Sequence, residues 1–149
     1  MSEKYFNREE AEELLPIIRR SLEKAREQKR SLDHLDQELA AAAARIMMLG
    51  GSIPPYQELI RKKGEREESV ARLEEVVNHI QETGCIVKDL DAGLVDFPTL
   101  RDGREVYLCW KLGEKRIEYW HGIDEGFAGR KPLDDKSEED DASGSSTIQ

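Results

Sequence analysis

Four side chains in the second half of the chain carry the chemistry of a metal site. They are two carboxylates, a thiol and an imidazole, contributed by Asp96, Glu118, Cys109 and His121. Such groups are the usual ligands of zinc and iron in proteins, so a divalent transition metal is the cofactor hypothesis that the sequence offers. Their spacing does not resemble the short paired spacings of structural zinc motifs. The simpler alternative is a partly buried thiol beside two solvated acids.

The strands that would hold these residues follow from a change of hydrophobic period after Cys85. Alternation with period two, interrupted by the turn signals "DAG", "RDG" and "LGEK", predicts a four-stranded antiparallel meander. The predicted strands are 85–90, 94–99, 104–111 and 116–121.

Two-residue turns at Asp102-Gly103 and Gly113-Glu114 would fix the register of the last three strands. One face would then carry the rows Val95–Trp110–Ile117, Phe97–Leu108–Tyr119 and Thr99–Val106–His121. The opposite face would carry Asp96–Cys109–Glu118 and Pro98–Tyr107–Trp120. This register places His121 away from the other three ligand residues. The "DAG" turn leaves open whether Lys88 or Asp89 flanks Asp96; Asp89 would strengthen the case for a metal.

Residues 7–83 are predicted to form an antiparallel, coiled-coil-like helical hairpin. Asn7 and Glu10 form a capping-box signature, and apolar residues recur every three or four positions up to Leu49. The segment "GGSIPP" ends the first helix, and a second seam runs from Tyr56 to Ile80. At 1.5 Å per residue the helices span roughly 64 and 43 Å, so the apolar region from Leu14 to Leu22 is left without a helical partner.

The fold class predicted from these elements is α+β. The meander would pack on the N-terminal end of the first helix, with Trp110 and Tyr119 covering the apolar region. Residues 1–133 would form a single domain, consisting of the hairpin (7–83) and the meander with its loop (85–133). Residues 134–149 carry a net charge of −5 of the chain's −9 and predict a disordered acidic tail.

Other chemistry in this region is less favoured. Cys109 as a nucleophile would need a positive neighbour to lower its pKa, whereas the predicted row surrounds it with carboxylates. His121 and Asp124 could form an acid/base pair, although a histidine bonded to a nearby carbonyl is more common. The glycines of "GIDEGFAGRKP", with Arg130 and Lys131, could hold a small anion.

An aromatic patch is expected on the polar face of the sheet. Tyr107 and Trp120 would be exposed there in a monomer, and such patches usually mark a partner surface. We therefore expect a homodimer or another protein partner. The predicted partner or ligand contacts are Tyr107, Trp120, His121 and Arg130.

Charge and composition exclude several classes of partner. Lysines and arginines alternate with glutamates along the helices, which argues against nucleic acid. No apolar run approaches the roughly 20 residues of a membrane span, and two cysteines without a signal peptide indicate a cytoplasmic location. The sequence favours a dimeric interaction or regulatory module over an enzyme. The alternative is a metal- or small-anion-binding protein that uses the region of Asp96, Cys109, Glu118 and His121, and such a protein could be an enzyme.

Two segments resemble a known family. "FNREEAEELLP" and "VKDLDAGLVDFPTLRDGREVYLCWKLGEKRIEYWHGIDEGFAGRKP" look like the two signature blocks of a bacterial and archaeal family catalogued as domain of unknown function 2203. The resemblance covers under half of the chain and implies no activity. It does imply that Asp96, Cys109, His121 and Arg130 belong to one unit with a role beyond packing.

Overall fold

Two long helices pack against each other in the computed structural model, which describes residues 4–49 and 56–133. Helix α1 spans Arg8–Met48 and α2 spans Tyr56–Gln81. Lys62 pairs with Glu38 (3.3 Å), and Arg66, further along α2, pairs with Asp36, earlier in α1. This order shows that the helices run antiparallel. The predicted "GGSIPP" break and the acidic tail lie outside the described residues.

The start of α1 is fixed by the predicted capping box. The Asn7 side chain accepts a hydrogen bond from Glu10 N–H (2.7 Å), and Glu10 Oε1 accepts one from Asn7 N–H (2.9 Å). The preceding residue, Phe6, donates its N–H to the Pro98 carbonyl (2.7 Å), and its ring meets Phe97 edge-to-face at 5.4 Å. These contacts tie the entrance of α1 to the sheet.

The remainder of the described chain is an antiparallel sheet of five strands in chain order. The strands are β1 (Ile86–Asp89), β2 (Leu94–Arg101), β3 (Arg104–Lys111), β4 (Tyr119–Gly122) and β5 (Lys131–Pro132), with a short 3₁₀ helix at Phe127–Gly129. The α+β class is confirmed, but the strand count of four is wrong. The fifth strand has two residues, opposite Tyr119 and Trp120, and so short a strand shows no alternation that could predict it.

One face of the sheet packs on the N-terminal part of α1, as predicted. The core joins α1, the end of α2 and the inner sheet residues: Ala11, Leu15, Ile18, Leu22, Ile80, Cys85, Val95, Phe97, Leu108, Trp110 and Ile117. Trp110 is fully buried, and its Nε1–H donates to the Glu114 carbonyl (2.9 Å). Truncating a core tryptophan of this kind costs about 3–5 kcal/mol.

The register between β2 and β3 is the predicted one. Val95 lies opposite Trp110, Asp96 opposite Cys109 and Phe97 opposite Leu108. The Asp102-Gly103 turn has positive φ at both residues, 53° and 79°. This is the geometry of a type I′ turn, which matches the twist of a hairpin.

The register between β3 and β4 differs from the prediction by one residue. Cys109 lies opposite Tyr119 instead of Glu118, and Leu108 lies opposite Trp120 instead of Tyr119. Because side chains alternate along a strand, the shift moves every β4 side chain to the other face. Tyr119 therefore leaves the predicted core face, and Trp120 takes that side and packs against the core.

A wide loop over residues 112–118 causes the shift. The Glu114 side chain accepts from Lys111 N–H (2.9 Å), and Ile117 N–H donates to Glu12 Oε2 in α1 (2.9 Å). Ile117 is fully buried in the core. The loop is thus held by α1 and is longer than the predicted two-residue turn.

Candidate functional site

Three of the four predicted ligand residues meet on the face of the sheet that points away from the helices. Asp96, Cys109 and His121 come from the adjacent strands β2, β3 and β4. Their side chains are 2%, 1% and 2% exposed, respectively. One ligand atom from each lies within 4.8 Å of the others. The cluster is therefore both compact and shielded from bulk water.

The one-residue shift in the β3–β4 register determines which residues belong to this cluster. It brings His121 onto the face of Asp96 and Cys109, where the predicted register did not place it. It also removes Glu118, whose side chain is exposed and whose carbonyl accepts from Leu133 N–H (2.8 Å).

Hydrogen bonds orient the His121 ring at both nitrogens. Nδ1 lies 2.8 Å from the Gly122 carbonyl oxygen, and Nε2 lies 3.0 Å from Asp96 Oδ1. A carbonyl oxygen only accepts, so Nδ1 carries the proton. Nε2 is thereby the nitrogen directed at Asp96, and Tyr107 meets the same ring edge-to-face at 5.5 Å.

Burial disfavours the charged forms of two groups in the cluster, the Asp96 carboxyl and the Cys109 thiol. It raises the pKa of the Asp96 carboxyl, against the opposing effects of His121 and Lys88. It also raises the pKa of the Cys109 thiol to about 11, with Asp96 adding to the rise and Arg130 opposing it. Without a bound cation, Cys109 is therefore a neutral thiol near pH 7.

The geometry does not assemble a cysteine nucleophile. A thiol activated by histidine needs an imidazole nitrogen free to take its proton. Both nitrogens of His121 are directed elsewhere, at Gly122 and Asp96. The His121–Asp124 pair is likewise replaced by His121–Asp96, and Asp124 is exposed. The sequence argument placed only carboxylates around Cys109, whereas the structure also places Arg130 near it, which opposes the rise of the Cys109 pKa without reversing it.

A pocket of about 130 Å³ lies directly above the cluster. Its lining consists of Lys88, Leu94, Asp96, Cys109, His121, Glu125, Gly126 and Phe127. At roughly 30 Å³ per water molecule, this volume holds about four waters. The three candidate ligands thus line one side of this small pocket.

The β1 residue paired with Asp96 is Ile86, so neither Lys88 nor Asp89 takes the position that the sequence left open, although Lys88 lines the same pocket as Asp96. The β1–β2 ladder pairs Val87 with Val95 and Asp89 with Leu94, so that Lys88 is an extra residue at an irregularity. Its ammonium lies 5.1 Å from the Tyr107 ring centroid and is near enough to lower the pKa of Asp96. The residue beside the cluster is therefore a cation and not a third carboxylate.

The cations of the glycine-rich loop are paired with carboxylates. The Arg130 guanidinium donates two hydrogen bonds to the Glu114 carboxylate, of 2.7 and 2.9 Å, and a third to the Cys109 carbonyl (3.2 Å). Lys131 pairs with Glu125, whose carboxylate also accepts from Gly122 N–H (2.7 Å). An anion held by this loop would have to displace Glu114 or Glu125. Neither glutamate carried a sequence signal for this role.

The predicted partner contacts are less exposed than expected. Tyr107 and His121 are buried, at 8% and 2% exposure. Trp120 is half-buried on the core side, with Arg101 and Lys131 each 4.8 Å from its ring centroid. Arg130 is half-buried between the rings of Tyr119 and Phe127. The aromatic side chains therefore do not form an open patch on the polar face.

Fold and site together define a small α+β protein in which a helical hairpin carries a sheet with a buried Asp-Cys-His cluster. The sequence profile of a family described as "Uncharacterized conserved protein (DUF2203)" matches residues 4–133, and the chain belongs to that family. Searches of curated proteins and of solved structures return no match. Within residues 4–49 and 56–133, neither helix has an apolar stretch long enough to cross a bilayer.

Proposed function

We propose that this protein binds a divalent transition metal ion, of which zinc is the best example, through Asp96, Cys109 and His121. The observation that carries the proposal is the convergence of three buried ligand atoms within 4.8 Å at the floor of a pocket. Thiolate and imidazole favour zinc over magnesium or calcium, which prefer oxygen ligands.

The orientation of His121 supports ligation through Nε2. Metal-bound histidines commonly donate the other ring N–H to a carbonyl or carboxylate, and Nδ1 makes such a bond with Gly122 (2.8 Å). Two atoms each about 2.0–2.1 Å from one ion lie roughly 2.9–3.4 Å apart at tetrahedral or octahedral angles. The 3.0 Å between Nε2 and Asp96 Oδ1 falls in that range.

Three protein ligands leave a coordination position for water or a small molecule. Structural zinc sites have four protein ligands, whereas catalytic and ligand-binding sites have three and an open position. The pocket of about 130 Å³ above the cluster supplies the space for such a molecule. This arrangement favours a ligand-binding or metal-dependent role over a purely structural one.

Metal content of the protein prepared without a histidine tag tests the proposal. We expect one equivalent of Zn²⁺ or Co²⁺ per chain, and a thiolate-to-Co²⁺ charge-transfer absorption band. Cys109→Ala should abolish the band and His121→Ala should weaken binding strongly. Cys85→Ala and Glu118→Gln are matched controls, because Cys85 is a buried thiol in the helix-facing core and Glu118 is exposed. Binding that is absent, or unchanged in Cys109→Ala, would refute the proposal.

Self-association is a second candidate function, favoured by the far end of the coiled-coil-like helical hairpin. Large apolar side chains are exposed there, namely Met47, Met48, Leu49, Tyr56 and Ile60, with Met48 at 85%. A second copy of the chain presents the same surface, so a twofold axis would bury both at once. This surface would suit a dimeric interaction or regulatory module better than the buried Tyr107 does.

Light scattering coupled to size exclusion tests self-association. We expect a dimer for the wild type and a monomer for the double variant Met47→Lys/Met48→Lys. Glu27→Lys, a charge change at an exposed position elsewhere on α1, should remain dimeric. A wild-type monomer at about 100 μM would rule out this second function, since stable dimers have far lower dissociation constants.

The state of the cysteines supports a cytoplasmic location. Both are free and buried, with Cys85 in the helix-facing core and Cys109 on the opposite face of the sheet. They do not form a disulfide, and thiols of this kind persist in reducing compartments. Cell fractionation with detection of the tagged chain tests this assignment, and recovery in an oxidising compartment would contradict it.

A further inference from the structure

We propose that the pocket above the Asp96-Cys109-His121 cluster binds a small monocarboxylate. One carboxylate oxygen would occupy the open metal position, and the ammonium of Lys88 would neutralise the other. This inference rests on the proposed metal site and adds its ligand class. It assigns a role to Lys88 that the metal site itself does not require.

Strand alternation places Lys88 on the face of the sheet that carries the pocket. Ile86 is paired with Asp96, and Val87 packs against the core on the other face. The ladder is irregular between Val87 and Asp89, and such irregularities are frequent beside functional sites. Lys88 lines the same pocket as Asp96, Cys109 and His121.

Lys88 is the cation lining this pocket that forms no salt bridge within the described residues. Arg130 and Lys131 are held by Glu114 and Glu125. No carboxylate in residues 4–49 or 56–133 lies within salt-bridge distance of Lys88, whose recorded contact is with the Tyr107 ring. A lysine kept beside a pocket without a paired acid is available to an anionic ligand.

The charge of the loaded site favours a monoanion. A divalent ion bound by one thiolate, one carboxylate and one neutral imidazole gives a neutral centre. The ammonium of Lys88 then leaves the pocket with one net positive charge, because Glu125 is already paired with Lys131. A ligand with a single negative charge neutralises this net charge. A dianion would instead leave the pocket with one net negative charge, which is costly in a confined space.

The size and walls of the pocket restrict the ligand further. A volume of about 130 Å³ admits a molecule of few heavy atoms. Leu94 and Phe127 supply apolar lining beside the polar residues. A short carboxylate such as acetate places its oxygens towards the metal and Lys88 and its methyl group against that lining.

Titration of the Co²⁺-loaded protein with acetate tests the inference, with the cobalt absorption spectrum as the readout. We expect a saturable spectral change with acetate and none with acetamide, which has the same shape but no charge. Lys88→Gln should weaken acetate binding at least about tenfold while Co²⁺ still binds at least as tightly, because a positive charge beside the metal site has been removed. Lys24→Gln, at an exposed position on α1, is the matched control.

The outcomes separate this inference from the metal site. Normal Co²⁺ binding with unchanged acetate binding in Lys88→Gln would overturn the role of Lys88 and leave the metal site intact. Equal responses to acetate and acetamide would overturn the anion class. Failure to bind Co²⁺, seen before acetate is added, would overturn both proposals.

Discussion

His121 Nε2 lies 3.0 Å from Asp96 Oδ1, although the two residues are on strands separated by β3. Both side chains are 2% exposed. The contact therefore passes over the middle strand, where Cys109 completes the cluster. A buried polar pair of this kind is costly to leave incomplete, because each group has already lost its contact with water.

Removing both members of this pair should destabilise the metal-free protein by less than the two single losses added together. We expect Asp96→Ala or His121→Ala to lower the unfolding free energy by about 3–5 kcal/mol, because the remaining polar group stays buried without its partner. The double variant should lose clearly less than the sum of the two. Urea unfolding in the presence of a chelator measures all three, and strictly additive losses would show that the pair is not coupled.

Arg130 should not be replaceable by lysine. Its planar guanidinium makes two bonds to Glu114, and its Cζ lies 4.1 Å from the Tyr119 ring centroid and 4.6 Å from that of Phe127. Lysine retains the charge but cannot make the two parallel hydrogen bonds to Glu114 or the planar contact with the aromatic rings. Arg130→Lys should therefore lower the unfolding free energy by about 1–3 kcal/mol. Urea unfolding is the measurement.

The control for this change is Arg116→Lys, since the Arg116 side chain is 63% exposed. It should change stability by less than about 0.5 kcal/mol. Equal losses at the two positions would contradict the importance of the Arg130 geometry.

The part of the sheet that local sequence signals specify was predicted correctly. The Asp102-Gly103 turn needs positive φ at both residues, and Asp-Gly is well suited to that geometry. The turn fixes the β2–β3 register, which places Asp96 opposite Cys109. Two of the three clustered residues were thus brought together from local information alone.

The third residue depends on a contact that local signals do not contain. The loop before β4 is held by the bond from Ile117 N–H to Glu12, which lies 105 positions away in the sequence. Without it, "LGEK" resembles a two-residue turn, and the predicted register included Glu118 and excluded His121. Lys88 was left as an open alternative for a similar reason, since an irregularity in a strand has no simple sequence signature.

Gly93 should tolerate a side chain less well than Gly103 does. Both have positive φ, 72° and 79°, so alanine is strained at either position. A Cβ on Gly93 would lie 2.6 Å from Leu112 Cβ, whereas a Cβ on Gly103 meets nothing within 4 Å. Gly103→Ala should cost about 1–2 kcal/mol and Gly93→Ala clearly more. Thermal unfolding compares them, and equal losses would show that Leu112 moves aside freely.

Glu125 should stabilise the loop over the pocket in a pH-dependent manner. Its pKa is lowered, chiefly by the hydrogen bond from Lys131 and then by the bond from Gly122 N–H. A carboxyl group whose pKa is lower in the folded state stabilises the fold above its unfolded pKa, and the effect is lost as the pH falls through the folded value.

The wild type should therefore be more stable than Glu125→Gln at pH 7, and the difference should disappear in acid below the usual glutamate pKa of about 4.3. Urea unfolding at a series of pH values measures the difference. Glu118→Gln is the matched control, because Glu118 is exposed and its side chain has no partner recorded within the described residues, so its difference should stay small at every pH. A Glu125→Gln difference that persists in acid would show that the charge of Glu125 is not the source of the stabilisation.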